Sequence, residues 1–178
     1  MPKSNLTRRQ LPGETTPWSF SLRIKAMLWQ IGWTLLCQWT PKPANPWRLI
    51  WLRVFGATIH GTPFVHQRAR IQHPWNIELH DKACVGDRAN LYSLDLITLR
   101  QQATVAQEAY LCAGTHDFND DELPLYSGPI SVGARAFVGA RAFVLPGVSI
   151  GEKAVVGAMS VVTKSVADHQ TVAGNPAR

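Results

Sequence analysis

The sequence predicts an all-β fold, a parallel β-helix of short strands, preceded by an α-helical segment. Two observations lead to it: an aliphatic residue returns at an interval of six along residues 130–163, and a tryptophan-rich segment without that period comes first. An amphipathic helix would need apolar spacings of three and four, and a single strand would need alternation, so a period of six fits neither. It fits a coil in which every sixth side chain points into a narrow prism. The recurring residues are Val132, Val138, Val144, Ile150, Val156 and Val162.

The composition limits the class of protein. A chain of 178 residues has room for one well-buried domain. A formal net charge of +6 suggests an acidic partner, but no Lys/Arg-rich block or aromatic-interleaved basic stripe points to nucleic acid. Cys37, Cys84 and Cys112 are widely spaced, as expected of reduced thiols in a cytosolic protein. Because the start has no apolar signal region, a cytoplasmic location is expected.

The first 56 residues are predicted to form a unit of their own. Residues 1–17 are a polar arm, and a helix is predicted between Ser19 and Thr40, with a wide apolar face and a narrow polar stripe. Its uncharged run is shorter than the ~20 residues that a spanning helix needs. The polar stripe holds Arg23, Gln30, Thr34 and Gln38.

A second helix is marked by Asn45 as N-cap, Pro46 at the first helical position and Gly56 after its end. Arg48 and Arg53 are expected to be exposed on it. Six of the seven tryptophans precede residue 52. Two compatible interpretations remain open for residues 1–56: a cap on the open end of the β-helix, or a segment at a membrane interface.

The period of six starts after Gly56 and defines a β-helix domain over residues 57–178. Its phase slips by two residues twice and is lost from Cys112 to Pro129, which predicts a loop expelled from the prism over 112–129. Loops on rigid scaffolds often carry chemistry, so this loop, with His116, is the predicted site. The earlier phases are Ile59, Val65, Ile71 and Ile77; then Leu79, Val85, Leu91 and Ile97; then Leu99, Val105 and Leu111.

Four stretches resemble the hexapeptide-repeat sugar O-acetyltransferases: HPWNIELHDKACVGDRANLY (73–92), YLCAGTHDF (110–118), PISVGARAFVGARAFVLPGVSIGEKAVVGAMSVVTKSV (129–166) and AGNPAR (173–178). Within the branch of galactoside, maltose and nodulation acetyltransferases, the chain is most similar to the colanic acid biosynthesis acetyltransferases. The resemblance implies a left-handed β-helix, a homotrimer, acetyl-CoA as co-substrate and no metal. It also implies transfer of acetyl to a sugar hydroxyl in exopolysaccharide synthesis. The tryptophan-rich, basic N-terminal third, and not the resemblance, suggests a lipid-linked saccharide acceptor and peripheral contact with the inner membrane face.

The resemblance also assigns residues. His116 would be the general base, since a neutral imidazole can accept the proton of an attacking hydroxyl. Asp117, Glu122 and a backbone carbonyl are all open as the group that orients its ring. The Ala140 amide would stabilise the oxyanion. The full cofactor set is Ala140, Ala158, Thr163, Lys164 and Arg178, and the acceptor set is Asn90, Tyr92 and Asp95.

Three alternatives remain, and the first keeps the acetyltransferase activity but changes the acceptor. The acceptor could be an amino sugar, a serine or an antibiotic, or the coil could be a non-catalytic scaffold. A zinc protein like the γ-carbonic anhydrases is suggested by His60, His66, His73 and His80. Coil geometry argues against it, because side chains share an edge only near multiples of eighteen residues, and these spacings differ.

Overall fold

The structure, a computed structural model, describes residues 6–10 and 16–178. Residues 1–5 and 11–15, most of the predicted polar arm, lie outside the described residues. Two helices, α1 (Phe20–Leu36) and α2 (Asn45–Val54), precede a left-handed parallel β-helix of three faces, which confirms the predicted fold class. Short 3-10 turns cover Lys42–Ala44 and Pro74–Asn76.

Each face of the prism is a parallel sheet of two- and three-residue strands. The first face holds β2 (Thr58–Ile59), β5 (Ile77–Leu79), β8 (Ile97–Leu99), β13 (Ile130–Val132) and β16 (Ser149–Ile150). The second holds β3 (Phe64–Val65), β6 (Cys84–Val85), β9 (Thr104–Val105), β14 (Phe137–Val138), β17 (Val155–Val156) and β19 (Thr171–Val172). The third holds β4 (Arg70–Ile71), β7 (Asn90–Tyr92), β10 (Tyr110–Cys112), β15 (Phe143–Val144) and β18 (Val161–Val162). A separate three-stranded sheet contains β1 (Thr7–Arg8), β11 (Gly114–His116) and β12 (Leu125–Ser127).

The aliphatic residues of the period fill the prism, as the spacing predicts. Val132, Val138 and Val144 are fully buried, and the small residues Ala136 and Ala142 are buried at the corners. At roughly 25 cal/mol per Å² of apolar surface, this continuous core is the main stabilising contribution of the fold.

The coils differ in length, and one corner accounts for the difference. Leu79 pairs with both Ile59 and Leu99, so the first coils take 20 residues, whereas Val132 pairs with Ile150 and that coil takes 18. The additional residues lie at the corner from the third face back to the first, here called the third corner. The Ser93 hydroxyl spans two coils there, with 2.9 Å hydrogen bonds to both the amide and the carbonyl of His73. The two-residue slips in the sequence are therefore successive copies of one enlarged corner.

The 20-residue coils correct the expectation that the four histidines do not share an edge. His60 and His80 lie in register on adjacent coils, with ring centroids 4.6 Å apart, and both approach Glu78. Arg100 occupies the next register position, 3.3 Å from Nε2 of His80. His66 lies beside Asp87, away from this group, so the four histidines do not converge.

Helix α1 is buried on one side and exposes an apolar face on another. Trp29, Trp33 and Cys37 are buried against the first coil, and Trp29 Nε1 donates to the Ile71 carbonyl at 2.7 Å. The remaining apolar face points outward, so that Phe20 is 75% exposed and Leu35 67% exposed. Neither described helix has both the length and the hydropathy needed to cross a bilayer.

Helix α2 closes the first coil, and one of its arginines contradicts the sequence prediction. Arg48 is fully buried instead of exposed, because its guanidinium donates to the Val65, Pro41 and Lys42 carbonyls and to Thr40. These acceptors lie at the start of the β-helix and in the segment before α2. Burial also lowers the pKa of the Arg48 guanidinium. Arg53 is exposed as expected.

Candidate active site

The break in the hexapeptide period is a β-hairpin at the third corner. Its strands β11 and β12 are antiparallel, with Gly114 opposite Ser127 and His116 opposite Leu125. The Gly128 amide closes its base by donating to the Ala113 carbonyl at 3.1 Å. The N-terminal strand β1 pairs along the outer edge of β12. The predicted expelled loop is therefore an ordered hairpin attached to one corner of the prism, and β1 extends it to a three-stranded sheet.

His116 ends strand β11 with an exposed side chain. Its Nδ1 lies 2.6 Å from the carbonyl oxygen of Leu123, on the turn of the hairpin. A carbonyl oxygen can only accept, so Nδ1 carries the proton and Nε2 of the neutral ring is left as a proton acceptor. Of the three orienting groups left open by the sequence, the backbone carbonyl is the one in contact with this ring nitrogen.

Leu123 adopts a backbone conformation that leucine rarely takes. Its φ is 45°, in the left-handed region, and its amide donates to the Asp120 carbonyl at 2.8 Å. This turn directs the Leu123 carbonyl toward the imidazole. A cavity of about 160 Å³, lined in part by Leu6, Phe118 and Tyr126, opens beside His116.

Asp95 joins the hairpin to the coil. Its Oδ2 accepts hydrogen bonds from the Ser127 hydroxyl at 2.8 Å and from Arg9 at 2.9 Å, and Oδ1 accepts from the Leu96 amide at 2.8 Å. Arg9 also donates to Ser127 at 2.5 Å. Asp95 was predicted to bind the sugar acceptor, but both of its carboxylate oxygens are engaged within the protein, at the base of the hairpin.

Asn90 and Tyr92 line a separate, larger cavity of about 580 Å³ between α1 and the third face. Asn90 lies in register with Arg70 on one side and Tyr110 on the other. Its side-chain amide has no hydrogen-bond partner in residues 6–10 and 16–178. Burial raises the pKa of Tyr92 and raises that of Tyr110 to about 12, so both hydroxyls stay protonated donors at neutral pH.

The predicted oxyanion donor lies at the corner between the second and third faces, here called the second corner. Val138 pairs with Val156, so Ala140 and Ala158 occupy equivalent positions on adjacent coils. Neither amide has a hydrogen-bond acceptor within the described parts of the chain, a property that the equivalent residue of the preceding coil, Gln107, shares. Gly139 permits the close stacking, since a Cβ there would lie 2.6 Å from the Ala158 nitrogen.

The other predicted cofactor residues gather at the C-terminal end. Thr163 and Lys164 directly follow β18, and Lys164 is exposed. The Ala177 amide donates to the Val161 carbonyl at 2.9 Å, which brings the last residues back beside the same strand. Exposed Arg178 is therefore placed near the end of the coil, where Lys164 also lies.

The predicted base and the predicted oxyanion donor occupy different corners of one chain. Leu111 pairs with Val144, so the position in register with Ala113 is Pro146, six residues after Ala140. Six extended residues span at most roughly 20 Å. Strand β11, with His116, continues from the third corner, whereas Ala140 lies at the second.

Sequence reasoning did not identify which carbonyl orients His116, and it missed the Asp95–Ser127–Arg9 contacts and the arginines of the larger cavity. The cavity wall did have a signal in the sequence, because Arg70, Asn90 and Tyr110 are spaced 20 residues apart, which is the length of these coils. The other contacts depend on the fold of the hairpin and of residues 7–9, which no period in the sequence describes.

A family model, the hexapeptide repeat of succinyl-transferase, matches residues 129–164. Among curated proteins, the chain is 37% identical over 154 residues to WcaF of Escherichia coli strain K12, named as a colanic acid biosynthesis acetyltransferase. That alignment covers 86% of this chain and 85% of WcaF.

Solved structures show the same fold. A galactoside acetyltransferase in complex with coenzyme A matches with a TM-score of 0.82 at 22% identity, over 92% of this chain and 82% of that one. A hexapeptide-repeat acetyltransferase from Vibrio cholerae O1 biovar eltor, complexed with acetyl coenzyme A, matches with a TM-score of 0.81 at 20% identity. This match covers 93% of the present chain and 90% of the other.

Proposed function

The chain belongs to the hexapeptide-repeat acetyltransferases, and from this premise we propose that it moves the acetyl group of acetyl-CoA to a sugar hydroxyl in exopolysaccharide assembly. The relationship to WcaF, named for colanic acid biosynthesis, supports a saccharide acceptor of that class. The observation that carries the chemistry is the hydrogen bond between His116 Nδ1 and the Leu123 carbonyl. It leaves Nε2 available on an exposed side chain.

The reaction transfers a single proton, from the attacking sugar hydroxyl to the departing thiolate. Nε2 of His116 takes the proton of the attacking hydroxyl as its oxygen bonds to the thioester carbonyl. The Ala140 amide, unpaired in the described chain, donates to the oxyanion that forms. When the carbon–sulfur bond breaks, the imidazolium returns the proton to the departing thiolate, and the products are the acetyl ester and coenzyme A.

We further propose that two copies complete each site within a homotrimer. His116 and Ala140 lie at different corners of one prism, separated by one face. Packing the second corner of one copy against the hairpin of the next would bring the predicted base and oxyanion donor together. Light scattering should give the mass of three chains, and a monomer that remains active would contradict the shared site.

The cofactor and acceptor residues fit this arrangement. Lys164 and Arg178 would hold the phosphates of coenzyme A, and Thr163 and Ala158 would contact its pantetheine arm. Asn90 and Tyr92 would bind the acceptor from the larger cavity. Asp95 would act as a positioning residue, because both of its oxygens already bind the hairpin base and its own coil.

The outward face of α1 and α2 supports peripheral contact with the cytoplasmic side of a membrane. Residues 16–57 contain five basic and no acidic residues, and all of the basic residues except Arg48 are exposed, so their charge complements anionic lipid. Trp39 is 82% exposed at the end of α1 and Trp47 is 43% exposed on α2. Such contact would place the site beside a lipid-linked saccharide.

The activity is tested by release of coenzyme A thiol from acetyl-CoA, with bacterial polysaccharide precursors as acceptors. His116→Ala should lower turnover by about two to four orders of magnitude, while acetyl-CoA binding measured by calorimetry stays unchanged. Equal turnover in both proteins would remove His116 from the mechanism. Absence of acetyl-CoA binding in the wild type would overturn the proposed reaction.

A further inference from the structure

The helix side of the cavity beneath α1 is largely polar. Gln30 and Thr34 of α1 and Gln38 just beyond its end line this side, beside the buried ring of Trp33. Gln30 also donates to the Ile71 carbonyl at 3.2 Å, which ties this wall to the coil. Polar side chains at the mouth of a cavity can orient a polar ligand.

The opposite wall carries three arginines and no acidic residue. Arg68 forms two charge-assisted hydrogen bonds with Asp87, and Arg88 lies 3.7 Å from Glu108. Arg70, exposed on β4, has no hydrogen bond from its side chain and no ion pair within residues 6–10 and 16–178. Asp87 and Glu108 compensate at most two of these three positive charges, and Glu108 is also bound by Arg141. At least one positive charge is therefore uncompensated, and it lies in a concave site where the field is concentrated.

The groups beside Arg70 suit a saccharide that carries an oxyanion. Asn90 and Tyr110 follow Arg70 in register across adjacent strands, at the roughly 4.8 Å spacing of a sheet. The guanidinium can bind a phosphate or carboxylate through two parallel hydrogen bonds. The Asn90 amide offers a neutral donor for sugar hydroxyls, and the ring of Tyr110, stacked on Phe143, adds apolar surface to the cavity wall.

The cavity is joined to the hairpin. Tyr92 lines the cavity, and a Cβ at Gly114, the first residue of β11, would lie 3.3 Å from the Tyr92 ring. His116 is two residues further along the same strand. A ligand in the cavity could thus extend past Tyr92 toward the hairpin.

We infer that this cavity binds an anionic group, a phosphate or a carboxylate, on the saccharide acceptor, with Arg70 as its principal charged ligand. That the bound saccharide is the acetyl acceptor rests on the proposed function. Binding of an anion at Arg70 does not depend on it. The acceptor is therefore an acidic or phosphate-linked saccharide and not a neutral free sugar.

The test is direct binding, because it is independent of turnover. Inorganic pyrophosphate and glucuronate are each titrated by calorimetry into protein saturated with coenzyme A, which occupies the other predicted phosphate site. Arg70→Gln should weaken binding about tenfold or more, as expected for loss of a hydrogen bond to a charged group. Arg135→Gln, at an exposed arginine in the turn between the first and second faces, should bind like the wild type.

The probes also separate the two sources of the anion. Tighter binding of pyrophosphate identifies a phosphate, and tighter binding of glucuronate identifies a carboxylate; either supports the site if Arg70→Gln weakens it. Binding of neither probe, or equal binding by wild type and Arg70→Gln, would overturn the inference. His116→Ala should keep anion binding, so failure of the proposed reaction and failure of this site give different results.

Discussion

His116 and Leu123 are joined across the hairpin turn by a 2.6 Å contact from the imidazole Nδ1 to the backbone carbonyl oxygen. The contact uses no side chain of Leu123, which is half exposed. It depends instead on the left-handed backbone of that residue, with φ at 45°. The tautomer of the predicted base is thus set by local backbone conformation.

Substitutions at Leu123 should therefore act through the backbone. Leu123→Ile places a β-branched residue at positive φ, at a cost of about 1 kcal/mol, and should lower turnover about fivefold. Leu123→Gly, which accepts positive φ, should stay near the wild-type rate. Steady-state kinetics measure both, with Leu96→Ile as a control at another exposed leucine. Equal rates for the isoleucine and glycine variants would show that this carbonyl does not matter.

Arg48 and Arg53 lie on the same helix but should respond very differently to substitution. Arg48→Met leaves three backbone carbonyls without their donor in a buried place and should destabilise the fold by about 2–4 kcal/mol. Arg53→Met removes an exposed side chain and should change stability by less than about 0.5 kcal/mol. Urea unfolding at one fixed protein concentration compares them. Similar effects from both would contradict the structural role of Arg48.

His73 should make the fold sensitive to acid. Burial lowers its pKa from 6.5 to about 4, so the unfolded chain binds this proton more readily than the folded one. Stability should be complete above about pH 6.5 and fall as the pH drops toward 4, by at most about 1.4 kcal/mol per pH unit.

The variant His73→Phe keeps an aromatic ring in the stack with Trp75 and removes the titrating group. Its unfolding free energy should lose most of this slope between pH 6.5 and 4. His169→Gln, at an exposed histidine, should keep the slope of the wild type. An unchanged slope in His73→Phe would assign the acid sensitivity to other groups.

Membrane contact should depend on the outward apolar face of α1. The double variant Leu35→Ser with Trp39→Ser should reduce co-sedimentation with phosphatidylglycerol vesicles, and higher salt should reduce it in the wild type as well. Leu96→Ser serves as the control. Deleting α1 would be a poor test, because Trp29 and Trp33 are buried against the first coil. Absence of vesicle binding by the wild type would rule out the membrane proposal.

The period of six was enough to predict a parallel β-helix, and the family resemblance added its left hand. In a coil of hexapeptides, each aliphatic residue faces the interior whatever lies around it, so the period of six predicted the buried positions Val132 and Val138 directly. The loss of that period located the hairpin, and the family resemblance singled out His116. These are local properties, repeated along the chain.

Contacts between separate elements could not be predicted from the period. Arg48 has the sequence pattern of an exposed helical arginine, but it is buried because the Val65 and Pro41 carbonyls accept hydrogen bonds from it. Arg70 and Asn90 become part of a cavity only because Gln30 and Thr34 of α1 lie across from them. Such contacts follow from packing and from the need to satisfy buried polar groups across the chain, which no local period encodes.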